Sequence, residues 1–187
     1  MFFAGDPPSS FRIEDFSEED ILEHGIELWD GILQRKPAAD DVYTGVSLRL
    51  IGMLAVDLCE REDLAFCGDS EHFILHRGPD RFLSPFAAIH PSVQPRQGDW
   101  LLGPPIIAVE LVYDFCPRSI AERKRRWWLE AGAEQVWLIT PAMLALEVHE
   151  PGGRMSFHQD KIFTGSGTVE GLEFHLGQLL SRGNGGD

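Results

Sequence analysis

Apolar residues recur at four-residue intervals at Val42, Val46, Leu50, Leu54 and Leu58, the spacing that lines one face of a helix. Gly45 and Gly52 fall inside this stretch and weaken it without breaking the pattern. Upstream, residues 26–29 and 32–35 flank Asp30-Gly31, a pair that readily takes the positive φ of a tight turn, so the spacing predicts a hairpin. Ser17 and Asp20, followed by Ile21 and Leu22, have the pattern of a short capped helix start.

Three short extended segments are predicted around Leu64–Cys67, His72–Arg77 and Pro85–His90, divided by Gly68, by Gly78-Pro79-Asp80 and by Pro91. Residues 91–105, rich in Pro, Gln and Gly, read as a loop. The run Ile106 to Val112 is apolar without alternation, as a strand buried on both faces should be. A helix is predicted from Ser119, whose spacing to Glu122 suits a capping box, to a stop at Gly132. Gln135–Thr140 reads as a second buried strand, which makes a βαβ unit with a parallel pair. A hairpin around Gly152-Gly153 joins residues 144–149 to 154–163, and Leu172–Leu180 closes the chain. The expected class is α+β, a mixed central sheet flanked by helices, in a single domain over 12–181 with flexible tails at 1–11 and 182–187.

Composition adds exclusions. The 187 residues are 43% hydrophobic and 25% charged, enough apolar material for a substantial core. No window approaches the roughly 18 consecutive apolar residues of a membrane span, and the N-terminus lacks a signal-peptide pattern, so a cytoplasmic protein with no membrane association is expected. Cys59, Cys67 and Cys116 form no CxxC and read as core thiols. The net charge is −14; the first 71 residues carry five basic and seventeen acidic side chains, a net of −12, which leaves −2 for the rest. Such a chain repels bulk nucleic acid, so any contact with DNA must be local. The one basic cluster is Arg118, Arg123, Lys124, Arg125 and Arg126.

Glu110 is the residue that breaks the apolar run of its strand. A carboxylate there is costly unless paired, protonated or metal-bound. On the following helix Ile120, Lys124, Trp127, Trp128 and Ala131 fall on one stripe, which turns Lys124 toward the sheet and within reach of Glu110. The pair is open to a structural or a catalytic reading. His72 and His76, the closest histidine pair, would stand about 13 Å apart on one strand face, too far to share a zinc ion. There is no GxSxG, P-loop or GxGxxG motif.

The runs IELWDGIL (26–33), FLSPFAAI (82–89), GPPIIAVELV (103–112), ERKRRWWLEAGAEQVWLI (122–139) and GLEFHLGQLL (171–180) together resemble the Uma-type restriction endonuclease-like family, also known as DUF820-like. The resemblance implies a PD-(D/E)xK nuclease fold, with Glu110 as the Val-Glu-Val acid and Lys124 as the lysine displaced onto the helix. It also exposes departures. Where the family reads Arg-Pro-Asp-Val, this chain has Ser84-Pro85-Phe86-Ala87, so Phe86 stands in place of a metal-binding aspartate. The family's Asp-Gly-Glu reads Asp30-Gly31-Ile32 here.

Two functions follow as expectations. One is a catalytically degenerate nuclease-like domain retained as a binding or assembly module, with no cofactor. The other is an active endonuclease using Mg²⁺, with Glu110 as a lone ligand, Lys124 stabilising charge, and Arg118, Arg123, Arg125 and Arg126 as phosphate contacts. Glu27 and Asp80 are candidate accessory acids. DNA along helix 118–126, a protein partner, and a second copy in a homodimer are the partners to consider.

Overall fold

The computed structural model describes residues 10–36, 41–112, 117–158 and 160–180. Helix α1 (Glu18–His24) begins with the predicted reciprocal cap, in which the Ser17 hydroxyl accepts from the Asp20 backbone N–H and Asp20 reaches back to Ser17. Strands β1 (Ile26–Trp29) and β2 (Ile32–Arg35) form the expected hairpin, with Asp30 and Gly31 at φ of 53° and 79°. Helix α2 (Asp41–Leu58) buries Val46, Leu50, Leu54 and Leu58, each worth roughly 1.5–3 kcal/mol of transfer free energy; the side chain of Val42 lies outside the described residues.

Strands β3 (Leu64–Cys67), β4 (Phe73–His76), β5 (Arg81–Leu83) and β6 (Ala87–Pro91) follow. The predicted loop at 91–105 contains two further strands, β7 (Arg96–Gln97) and β8 (Trp100–Leu102). Both, like β5, are too short for a period of two to show. The βαβ unit is β9 (Ile107–Leu111), α3 (Arg118–Ala131) and β10 (Gln135–Thr140), whose strands pair in parallel with Glu110 beside Leu138. Strands β11 (Ala145–Glu150) and β12 (Gly153–His158) make the second hairpin, and β13 (Ile162–Thr164), β14 (Glu173–His175) and α4 (Leu176–Leu180) end the described chain.

The start of α3 departs from the expected capping box. The helix begins at Arg118, which puts Ser119 inside its first turn and Pro117 at the cap position; proline has neither a side-chain acceptor nor an N–H, so no capping box forms, and the Glu122 carboxylate binds Arg118 and Arg125. Its end is as predicted, with Gly132 in the left-handed region at φ 111°.

The class is α+β, but the strands divide into two six-stranded sheets rather than one. One runs β2-β1-β5-β4-β8-β7 and the other β12-β11-β10-β9-β6-β3, while β13 and β14 pair separately. Each large sheet is antiparallel except at one parallel pair, β4 with β8 and β9 with β10. Three apolar clusters hold the layers together. Residues of α2, α4, β13 and β14 cover one face of the second sheet through Leu50, Leu54, Val109, Trp137, Phe163 and Leu179. On its other face Ala108, Val136 and Leu138 meet Trp128 of α3 and Trp29, Phe73 and Leu101 of the first sheet. The outer face of the first sheet packs Leu28, Ile74 and Phe82 against Ile13 and Ile21. Of the predicted tails, the described part is Ser10 and Phe11, and the Phe11 backbone N–H donates to the Gly31 carbonyl; 182–187 lies outside the described residues. Among the described residues no helix is long and apolar enough to cross a membrane.

Candidate functional site

Glu110 lies inside β9 between Val109 and Leu111, and strand alternation turns it away from them, toward α3. Lys124 occupies the buried stripe of α3, one turn before Trp128. The predicted meeting takes place: Lys124 Nζ is 3.0 Å from Glu110 Oε1, which also accepts the Trp128 indole N–H at 2.8 Å. The other sheet contributes Glu27. Its Oε1 accepts from Lys124 Nζ at 2.9 Å and from the Ser84 backbone N–H at 2.9 Å, and its Oε2 accepts the Trp29 indole N–H at 3.0 Å. The Ser84 carbonyl takes a third bond from Lys124, at 2.7 Å. Three N–H donors of the ammonium therefore face three oxygens, which satisfies the group fully.

A second lysine borders this cluster. Lys36 Nζ donates to Ser84 Oγ at 3.0 Å and to the Asp69 carbonyl at 3.1 Å, while Ser84 Oγ donates to the same carbonyl at 2.7 Å. Sequence reasoning missed Lys36, although the hairpin carries a signal for it. A two-residue turn at Asp30-Gly31 places Gln34 opposite Glu27, so Lys36, two residues on, shares the Glu27 face.

The electrostatics divide the four charged groups. Burial works against the Lys124 ammonium, but Glu110 and Glu27 together outweigh it and hold its pKa above the ordinary lysine value. Burial also disfavours the Glu27 carboxylate, and there Lys124, Lys36 and the Ser84 N–H prevail, so its pKa is lowered. At Glu110 burial wins; the neighbouring Glu27 adds to it, and Lys124 and Trp128 do not compensate, so the pKa is raised. Lys36 is pulled down, first by burial and then by Lys124. The surroundings thus favour the charged forms of Glu27 and Lys124 and disfavour those of Glu110 and Lys36.

Phe86 is not where the motif comparison expects it. Its ring is buried in the cluster on the α2 face of the second sheet with Ala87, Ile89, Val109 and Leu111, opposite the face that carries Glu110. The reason is that residues 84–86 cross from β5 in one sheet to β6 in the other, so alternation from a single strand does not carry through them. Ser84, not Phe86, is the residue of this segment that meets the acids. Asp80 also stands apart. It accepts from Arg77, from the Ile13 N–H and from the Gly78 N–H, in the wall of a surface pocket of about 610 Å³ shared with Phe11, Arg12 and Glu14.

The arginines of α3 have separate partners. Arg118 binds Glu122 and Glu147, Arg125 binds Glu122, and Arg123 lies over the Trp29 ring at 5.4 Å. Arg126 is exposed and has no ion-pair partner among the described residues.

Mg²⁺ takes one or two carboxylates plus waters in an octahedral shell. Both Glu27 oxygens and Glu110 Oε1 already accept hydrogen bonds, and an ammonium stands between the two acids. Among the described residues no group of three or more Asp, Glu, His or Cys could hold a metal ion. These residues do not fit the metal that the resemblance implies.

No protein-family model and no curated protein matches the chain. A solved structure does: a protein from Anabaena variabilis described as a "putative nuclease belonging to DUF820" superposes with a TM-score of 0.72 at 14% identity, over 83% of this chain and 89% of that one. Four-fifths of the chain thus repeats the path of a DUF820 protein, and what the two share is the fold.

Proposed function

We propose that this chain is a nuclease-like domain that has lost metal-dependent phosphodiester cleavage and serves as a binding or assembly module. The observation that carries this reading is the position of Lys124, whose ammonium is bonded at once to Glu27, Glu110 and the Ser84 carbonyl at 2.7–3.0 Å. With all four ionised, the two acids and two lysines have zero formal charge. Adding a dication would leave the buried cluster at +2, or at +1 if one lysine swung out, and either excess of buried positive charge is costly. Fold alone does not carry activity, so the site decides.

The arginine partners favour protein over DNA as the ligand. Arg118 and Arg125 are held by acids, and each phosphate contact forgone removes part of the electrostatic affinity on which nonspecific DNA binding rests. The net charge of −14 acts in the same direction.

The test is calorimetric titration with Mg²⁺ and Mn²⁺ to about 10 mM, a range above ordinary Mg²⁺-site requirements, alongside cleavage of supercoiled and single-stranded DNA. No saturable heat and no nicking are expected. Saturable binding together with cleavage, both abolished in Glu110→Gln, would reverse the reading in favour of an active Mg²⁺-dependent endonuclease.

A further inference from the structure

Two of the four edges of the two large sheets are short or buried. Strand β7 has two residues, and β3 has four, none of them exposed. On the third edge β2 has four residues, with Arg35 exposed and Lys36 next in the chain. The fourth edge, β12, differs. It has six residues in unbroken register with β11, five of them exposed, and lacks a proline or bulge, and its one arginine, Arg154, is drawn back to within 3.6 Å of Glu147 on β11 instead of standing off the open edge. Met155 is 43% exposed, and Phe157, on the same strand face, packs its ring on Phe163 at 5.4 Å, so the apolar surface of the edge continues into the core.

An open edge of this kind accepts a strand, and the charge distribution selects which one. Two copies of a chain with net charge −14 repel over most of their surfaces. Strand β12 contains Arg154 and His158 and no carboxylate, and Glu147, beside Ser156 on β11, is paired with Arg118 and Arg154, so this edge adds little to that repulsion. It is also self-complementary. Antiparallel pairing about a two-fold axis at Ser156 sets Met155 opposite Phe157 of the second copy on one face, and Arg154 opposite His158 on the other. Apolar meets apolar, and every strand amide along the edge gains a partner.

We propose that β12 pairs antiparallel with β12 of a second copy, joining the two β12-edged sheets into one continuous sheet. This pairing does not depend on whether the buried cluster is catalytically silent.

Sedimentation equilibrium on the full chain tests it. The expected mass is twice the chain's 21.0 kDa, falling to the single-chain value in Met155→Lys, which places a charge in the apolar pair. Residues facing each other across antiparallel strands have Cα atoms about 4.5–5.5 Å apart, within disulfide range. With Cys59, Cys67 and Cys116 replaced by Ser, Ser156→Cys should therefore cross-link under mild oxidation, whereas Ile162→Cys, at another exposed position, should not. If Met155→Lys fails to give a native circular-dichroism spectrum, the cross-link decides. A wild-type chain that sediments at 21.0 kDa at about 100 µM, a concentration at which even a weak micromolar dimer forms, overturns the proposal. So does a dimer that survives Met155→Lys and does not cross-link at 156.

Discussion

Lys124 and Glu27 stand 97 residues apart in the chain and 2.9 Å apart in space, with side-chain exposures of 6% and 4%. They join the two sheets through a pair that neither sheet could satisfy alone. Buried ions of this kind are costly to create and more costly to break, since removing one partner strands the other.

Lys124→Met is therefore expected to destabilise the fold by about 3–5 kcal/mol, because it leaves Glu27 and Glu110 facing each other unpaired. Adding Glu27→Gln and Glu110→Gln to Lys124→Met should recover a large part of that loss. Urea unfolding of the single and triple variants measures both quantities. A single-variant loss under about 1 kcal/mol, the value of an exposed pair, would mean that the ion pair is not buried in solution.

His72 gives an acid-side signature. Burial, with Lys36 adding to it, lowers its pKa from 6.5 to about 4, and the ring stacks on Phe82 with its Nε2 lacking a partner. A group whose folded pKa is depressed contributes stability above its unfolded pKa, and that stability is lost as pH falls through the folded value. The window is therefore pH 6.5 down to about 4, and the contribution is of order 3 kcal/mol. His72→Phe should flatten the stability curve across that window while leaving its slope above pH 7 unchanged. An NMR titration of the wild type that places the His72 midpoint near 6.5 would contradict this.

The thiols should differ in reactivity. Burial, then Glu71, pushes the Cys67 thiol up to about 12, whereas Cys59 is exposed. Only the thiolate reacts, so at pH 8 alkylation at Cys67 should lag Cys59 by at least about a hundredfold. Mass spectrometry of iodoacetamide-treated protein, resolved by site, reads the ratio directly. Comparable rates at the two sites would show that Cys67 is open to solvent.

Helix α2 supplies an internal control for the core. Leu50→Ala removes a fully buried side chain and should cost about 2–5 kcal/mol, while Leu48→Ala, at a position 67% exposed, should change stability by less than about 0.5 kcal/mol. Parallel thermal or urea melts of the two variants suffice; equal losses would place the α2 stripe on the wrong face.

Wherever one segment's own pattern decided the outcome, the sequence was legible. The four-residue stripe of α2, the Asp30-Gly31 turn, the Ser17 cap, the Gly132 stop and the apolar β9 and β10 all stand where periodicity and turn chemistry put them. The Glu110–Lys124 contact was legible for the same reason, since strand and helix are consecutive in one crossover whose geometry is constrained. The start of α3 was not, because the helix begins at Arg118 behind Pro117, which leaves Ser119 inside the first turn and not at its cap.

The rest belongs to the tertiary structure. A period of two or 3.6 states which face of a segment is apolar, but not which other segment will cover it. That Glu27 and Ser84 complete the shell of Lys124, that Lys36 joins them, that Phe86 turns to the opposite face, and that the strands divide into two sheets each depend on docking between segments up to 97 residues apart. Local spacing determined the parts and one ion pair. Long-range packing chose the neighbours, because burial energy depends on how well two distant surfaces fit, and that fit is not written in either surface alone.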